Sequence, residues 1–441
     1  MNLKIRPSFS LRGEINAPGS KSYSHRAFIG ASLADGVSVI KNPLISGDVS
    51  VTISALKVLG VNLLKESEST YIVRKMGRSL TPYKETIDCK NSGTTVRIFC
   101  ALSLLIEGGL SFKGEFFKKK RPLKPLLDAL NELGGESHLT ESELKIRRIN
   151  KECNMINLRG DISSQFITAL LMICPLLECK NTDIIQIDIT TPITSYPYVK
   201  VTLDILEAFG INIQETIDNQ KISYCIPCGQ NYRNKLYKIP GDFSSIAFIL
   251  AGAVLSPEDS EIVIKNLDFI NPQGDKKIID ILLKMGAKIE VNKDKNQILV
   301  HGNINKYPLK GISIDCQDIP DLFPILSIIG AYAKGKTRLY NAQNLRFKES
   351  DRISVIAREL KKLNVKVEEE KTEITVYQCK KIKGSLINHD NDHRIAMALT
   401  IAALYADSSS HINNIEIVND SYPNFIRDLE KLGANIEKSV L

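Results

Sequence analysis

Five short stretches gather side chains able to hold an anion. PGSKSYSHR, from Pro18, offers Lys21, Ser22 and Arg26 around what reads as a helix start. NSGTTVR (91–97) ends on Arg97, and ISSQF (162–166) supplies Ser163, Ser164 and Gln165. RFKESDR (346–352) packs Lys348, Glu349, Asp351 and Arg352 together, and NDHR (391–394) ends on Arg394. Free backbone N–H groups and the dipole at a helix start favour an anion there. Arginine adds a planar fork that meets phosphate or carboxylate with two hydrogen bonds. Arg97 and Arg394 fall in otherwise apolar segments, where a guanidinium without an anionic partner is costly. The implied ligands are anionic and hydroxylated. The first stretch is not a nucleotide P-loop: Ser20 precedes Lys21 and no glycine stands five positions earlier.

Other patterns point away from metal, redox and nucleic-acid chemistry. HDNDH (389–393) loses its zinc-protease spacing if Asn391 or Asp392 caps a helix, because His389 then lies outside it. DCQDIPD (315–321) lacks calcium-loop spacing; it reads as capping, and Pro320 suits a first helical position. Cys225 and Cys228 form a CxxC in ISYCIPCG, which reads as a strand running into a turn and as a structural pair. Nine cysteines, an odd number without a secretory start, predict reduced thiols rather than a disulfide framework. The net charge of +8 permits an anionic ligand, yet no basic run is interleaved with aromatics, and KKKR (118–121) reads as a solvated turn. The longest apolar runs, such as IAMALTIAALYA, are too short for a bilayer, so a cytoplasmic protein is expected.

The elements that must position these residues repeat. ISALKVLGVNL, LLDALNELGGES, LDILEAFGINI, IDILLKMGAKI, ARELKKLNVKV and IRDLEKLGANI are each an amphipathic helix tail, a stop and a strand start. The stops are Gly60, Gly134, Gly210, Gly286, Asn364 and Gly433, spaced by 74, 76, 76, 78 and 69 residues. Glycine and asparagine best tolerate the left-handed conformation that ends a helix. Between the tails lie six helices apolar nearly all round, each opening near a Ser, Asp, Asn or Thr cap and expected to be buried. With β-rich segments such as EIVIKNLDF and KTRLYNAQ, this gives an α+β unit of two helices and several strands, six times over. The junctions APGS (17–20) and IPGD (239–242) predict two lobes of three units, residues 20–239 and residues 1–19 plus 240–441. The cleft between lobes is the default ligand site.

PGSKSYSHR, NSGTTVR, the RP of KKKRPL, ISSQF, PGDFSS, IPD, KESDR and NDHR resemble, in order and over essentially the whole chain, the motifs of the 5-enolpyruvylshikimate-3-phosphate (EPSP) synthase family. The resemblance implies a two-lobed enolpyruvyl transferase fold, each lobe three βαβαββ units with buried parallel helices, an inside-out α/β barrel. It implies transfer of the enolpyruvyl group of phosphoenolpyruvate to shikimate 3-phosphate, on the route to chorismate and aromatic amino acids. Lys21, Ser22, Arg26, Ser163, Ser164, Gln165, Ser195, Tyr198, Asp321, Asn344 and Lys348 match positions that hold shikimate 3-phosphate. Lys21, Gly93, Arg97, Arg121, Gln165, Arg352 and Arg394 match those around phosphoenolpyruvate, Gly93 leaving it room. Asp321, Glu349 and Lys21 match the catalytic groups. No metal or organic cofactor, no nucleic acid and no membrane partner is implied, and the expected state is a monomer. Glyphosate is the family's inhibitor. The chain departs from the pattern in NDSYPNF, where Asp420 stands in place of a frequent lysine. The alternatives are a UDP-N-acetylglucosamine enolpyruvyltransferase, whose lysine–asparagine pair near the start is absent here, or a non-catalytic anion-binding protein of the same fold.

Overall fold

All six expected helix stops have a positive φ in the computed structural model, from 68° at Asn364 to 109° at Gly286. The structure describes every residue except 76–79, 83–85, 120, 220 and 440–441; Lys120 of the KKKR cluster is among the exceptions. The spacing of these stops therefore reports a repeated helix-to-strand turn, as their residue types require.

Twelve helices carry the repeat. They are α1 (Lys21–Leu33), α2 (Gly47–Val58), α3 (Gly93–Leu102), α4 (Lys124–Glu132), α5 (Ser164–Ile173), α6 (Tyr196–Ala208), α7 (Phe243–Leu255), α8 (Lys277–Met285), α9 (Phe323–Tyr332), α10 (Arg352–Lys362), α11 (His393–Leu404) and α12 (Phe425–Lys431). Odd-numbered helices are the apolar ones, and α7 and α11 are buried at every position. Even-numbered helices bury one face; in α8 the buried residues are Ile278, Ile279, Ile281, Leu282 and Met285.

Each repeat also builds one four-stranded sheet, and all six sheets share a pattern: one parallel pair, then two antiparallel pairs. In one of them Ile156–Leu158 lies parallel to Ile184–Ile189, which pairs antiparallel with Lys221–Pro227, which in turn pairs with Gln214–Asp218. The βαβ half needs a helical crossover and the ββ half a hairpin, which gives βαβαββ. The sheets remain separate four-stranded pieces, and none of them closes into a barrel among the described residues.

The chain forms two compact units, Gly19–Ile239 and Met1–Pro18 with Pro240–Leu441. Each has its own apolar core. The first core collects the inner faces of α1, α3 and α5 and of their sheets; the second collects α7, α9 and α11, which pack on one another. Strand Leu236–Lys238 returns to pair with Gly36–Lys41 of the same unit. In the other unit Asn2–Ile5 and Arg12–Asn16 complete two sheets otherwise built from the C-terminal half. No helix among the described residues is long and apolar enough to cross a membrane.

Two expectations are corrected. Helix α9 starts at Phe323 with Leu322 as its cap and Pro324 in its first turn, so Pro320 is not helical and Asp321 does not cap. Two tight turns, in which Ile319 N–H bonds Cys316 O and Leu322 N–H bonds Ile319 O, delay the helix past Pro320. The cysteines are not all reduced, because Cys153 and Cys179 form a disulfide while seven others are free. Residues 26 apart in sequence meet because their loops lie at one end of one sheet, a juxtaposition that spacing alone does not reveal.

Candidate active site

In the Gly19–Ile239 unit the helix starts hold the cations. Arg26, one turn into α1, is buried and fans out to neutral oxygens. Its Nε donates to Thr202 Oγ1 (2.8 Å), Nη1 to Ser22 O (2.9 Å), and Nη2 to Thr168 Oγ1 (3.1 Å) and Tyr198 O (3.2 Å). Burial lowers its pKa to about 10, so at neutral pH the guanidinium stays charged. These bonds tie α1 to α5 and α6, and none neutralises the charge. Lys21, at the first position of α1, reaches Asp48 at 3.4 Å, an ion pair that a stronger anion can displace.

A second group surrounds the start of α3. Ser92 caps it, accepting from Thr95 N–H, and Arg97 Nη1 donates to Gln165 Oε1 at 2.5 Å. Gln165 Nε2 donates to Thr94 Oγ1 at 3.0 Å, so the glutamine joins the starts of α3 and α5. Arg97 and Arg121 both stack on the Phe116 ring, at 5.4 and 5.2 Å from its centre. Both guanidiniums thus share one aromatic ring as a neighbour. A Cβ on Gly93 would stand 3.1 Å from Arg121 Nη2, so the glycine admits that guanidinium. Ser163 caps α5 and Ser164 opens it, both beside Gln165. Ser195 caps α6 with φ 58°, a left-handed conformation costing a non-glycine residue about 1–2 kcal/mol. Tyr198 lies in the first turn of the same helix.

The other unit holds the carboxylates. Arg352, the first residue of α10 rather than part of the preceding loop, has a side chain only 2% exposed. It donates to three acids at once: Nη1 to Asp321 Oδ1 (2.9 Å), Nη2 to Glu349 Oε2 (3.0 Å) and Nε to Asp392 Oδ2 (2.8 Å). Those charges hold its pKa above the ordinary arginine value despite burial. Arg394 Nη2 donates to the second oxygen of Asp321 at 3.2 Å, so Asp321 bridges two arginines. Asp321 and Glu349 thus share one fork, while each keeps about a fifth of its side chain exposed. Asn344 is buried in the turn Gln343–Phe347, and Lys348 follows it half-buried. Asp420 is half-buried at the end of the turn Ile415–Asp420, and Ser421 beyond it is held by Ser245 Oγ.

Asp392 joins this group and was not singled out as a candidate site residue in the sequence. Its Oδ1 caps α11 by accepting from Arg394 and Ile395 N–H, while Oδ2 takes Arg352 Nε and Ser350 Oγ. One fully buried carboxylate therefore sets the direction of Arg352 and the start of the helix carrying Arg394. The cap was visible in NDHR; the bond to an arginine 40 residues away was not. Asp275 was also missed. It accepts a close hydrogen bond from Ser244 Oγ at the start of α7, and its carboxyl is pushed up to about 7 by burial and then by the charge of Asp321. His389 lies before α11, as a cap at Asp392 requires.

Comparison with known proteins fixes the lineage. The family model "EPSP synthase (3-phosphoshikimate 1-carboxyvinyltransferase)" matches residues 5–429. The chain belongs to the EPSP synthase family. It is 42% identical over 440 residues to the 3-phosphoshikimate 1-carboxyvinyltransferase of Methanocaldococcus jannaschii and 40% over 442 residues to that of Methanococcus vannielii, with 99% of each chain covered. An EPSP synthase structure from Acinetobacter baumannii superposes with a TM-score of 0.81 at 26% identity, covering 99% of both chains. The enolpyruvyl transferase NikO from Streptomyces tendae, with a TM-score of 0.77, 16% identity and 99% and 98% coverage, shares the fold.

Proposed function

We infer that the chain transfers the enolpyruvyl group of phosphoenolpyruvate to the 5-hydroxyl of shikimate 3-phosphate, releasing inorganic phosphate, and that the residues above carry the reaction. Family membership makes it a transferase of the shikimate pathway. The observation that supports the residue assignment best is Arg352 gathering Asp321, Glu349 and Asp392, with Arg394 on the far side of Asp321. Of the three acids, Asp321 and Glu349 are partly exposed, and two such carboxylates beside two forks suit a proton-transfer step on a polyanionic substrate pair.

The roles follow from the chemistry. The 5-hydroxyl must lose a proton as its oxygen attacks C2 of phosphoenolpyruvate, and C3 must gain one. Asp321 takes the first proton and Glu349, assisted by Lys21, supplies the second. In the following step C3 gives its proton back, the C2–O bond to phosphate breaks, and the double bond re-forms in the product. Arg97, Arg121, Arg352 and Arg394 hold the phosphate and carboxylate of the donor, beside Gly93 and Gln165. Ser22, Arg26, Ser163, Ser164, Ser195, Tyr198, Asn344 and Lys348 hold the acceptor, with Lys21, Gln165 and Asp321 shared. When the donor arrives, its anionic groups replace Asp321 and Glu349 on the guanidiniums, freeing both carboxylates for proton transfer. The reading calls for no cofactor, and it places the enzyme in the cytoplasm acting as a single copy.

The test is phosphate release by the purified chain. Release is expected only when phosphoenolpyruvate and shikimate 3-phosphate are both present. Release with UDP-N-acetylglucosamine as acceptor, or none with either acceptor, would overturn the reading.

A further inference from the structure

Three sulfurs meet at a place no part of the transfer reaction uses. Cys153 follows strand Glu143–Arg148, Cys179 precedes strand Ile184–Ile189, and Cys228 follows strand Lys221–Pro227. Ile184 pairs with Pro227 across the sheet, so the residues flanking them are brought to one end of it. Cys153 and Cys179 are joined, and the free Cys228 Sγ lies 3.8 Å from Cys179 Sγ.

The surroundings of the three sulfurs differ in ways that matter for thiol chemistry. Cys153 is 4% exposed and held on both sides of its backbone by the Asn181 amide, at 2.9 and 3.0 Å. Arg148 Nη2 sits 3.3 Å from Cys153 Sγ and is itself anchored on Glu178 O. Cys179 and Cys228 are only half-buried. A thiolate from solvent therefore reaches Cys179 first, and the sulfur expelled is the one beside a fixed guanidinium. A leaving thiolate with a cationic neighbour leaves faster.

We propose that Cys153, Cys179 and Cys228 form a thiol–disulfide exchange site open to low-molecular-weight thiols, with Cys179 as the shared sulfur and Cys228 as the resolving thiol. In the first step the external thiolate bonds to Cys179 Sγ, the Cys153–Cys179 bond breaks, and its electron pair leaves on Cys153, which takes a proton from water. In the second, Cys228 gives its proton to water and its thiolate attacks Cys179 Sγ, expelling the external thiol. The disulfide moves from Cys153–Cys179 to Cys179–Cys228, no net oxidation occurs, and the external thiol is regenerated. Burial first, then the Asp183 charge, raises the Cys228 thiol above its usual pKa, against a smaller pull from Arg148, so only a small share of Cys228 is thiolate for the second step.

The full chain, oxidised and then exposed to glutathione, is quenched with acid and alkylated, and its disulfides are mapped by peptide mass spectrometry. The parent protein is expected to yield a Cys179–Cys228 species. Cys228→Ser is expected to lose that species, its glutathione adduct on Cys179 being resolved only by return of Cys153 to the original disulfide. A parent protein that yields no Cys179–Cys228 species under glutathione would overturn the proposal. As an independent arm, Cys153→Ser treated with glutathione disulfide should join Cys179 to Cys228. A bond from Cys179 to Cys174 or Cys225 instead, or none, would remove Cys228 from the role.

Discussion

At the scale of single residues, the chemistry rests on which oxygen each guanidinium holds. Glu349 touches Arg352 through one oxygen at 3.0 Å and stays partly exposed, as its proposed proton transfer requires. Replacing it by Gln preserves size and that hydrogen bond but removes the titratable proton. Glu349→Gln should lower turnover at least about a hundredfold while leaving shikimate 3-phosphate affinity, measured by calorimetry, within about threefold; near-normal turnover would take Glu349 out of the mechanism. Gly93 makes a second case. A methyl group there would press on the Arg121 guanidinium at 3.1–3.2 Å, and the flexible side chain must yield by a few tenths of an ångström. Gly93→Ala should therefore raise the Michaelis constant for phosphoenolpyruvate several-fold with little loss of turnover. If glyphosate shares the donor's place it should lose more affinity than the donor does, and inhibition curves for mutant and parent that overlay would confine Gly93 to a backbone role. Arg97 and Arg394 were legible as candidates because a guanidinium in an apolar helix needs a partner, and Arg352 because KESDR gathers charges in one short stretch. Their partners were not legible, since Asp321 and Asp392 lie 31 and 40 residues from Arg352.

At the scale of elements, helix starts and stops did most of the positioning, and both were readable for a physical reason. Only glycine and asparagine adopt the left-handed stop cheaply, and Ser92, Ser163, Asp242 and Asp392 each accept a backbone N–H at a helix start. Two apolar helices depart from this: α1, whose N-cap Ser20 makes no side-chain cap bond, and α9, where a pair of tight turns moves the start to Phe323. Contacts between elements were hidden from the sequence. His25 is an instance: on α1, fully buried, its Nδ1 lies 2.7 Å from Thr52 Oγ1 of α2, which lies 2.8 Å from Thr95 Oγ1 of α3. Desolvation first, then Lys21 and Arg26, holds its pKa well below the ordinary value. The sign follows directly. The unfolded chain takes up a proton below about pH 6.5 and the folded one does not, so stability present above that pH is lost as pH falls. The loss should approach about 1.4 kcal/mol per pH unit. Thermal midpoints measured from pH 7.5 to 5 should fall less steeply for His25→Gln than for the parent, and parallel curves would show that His25 does not set the acid limit.

At the scale of the whole molecule, the two units differ in how the chain supplies them. Gly19–Ile239 is one continuous segment whose sheets are completed from within, down to the pairing of Leu236–Lys238 with Gly36–Lys41. The other unit depends on the N-terminus, because Asn2–Ile5 lies between Ser410–Ile412 and Ile436–Ser439 in its sheet, and Arg12–Asn16 forms the edge beside Ser260–Lys265. Leu3, Ile5, Leu11 and Ile15 are each at most 3% exposed. At about 1.5–3 kcal/mol for each buried side chain, removing them costs about 6–12 kcal/mol, as much as a typical domain's whole stability of about 5–15 kcal/mol. A chain beginning at Gly19 should therefore keep one unit folded and lose the other. Limited proteolysis should digest residues 240–441 and leave a resistant fragment ending near Ile239, while the intact chain resists throughout. The segment 19–239 expressed alone should show cooperative unfolding and bind shikimate 3-phosphate weakly through Ser22, Arg26, Ser163, Ser164, Ser195 and Tyr198. It should release no phosphate from phosphoenolpyruvate, because Asp321, Glu349, Arg352 and Arg394 all belong to the other unit. Turnover by the isolated segment would show that the acid–base pair has been assigned to the wrong half of the chain.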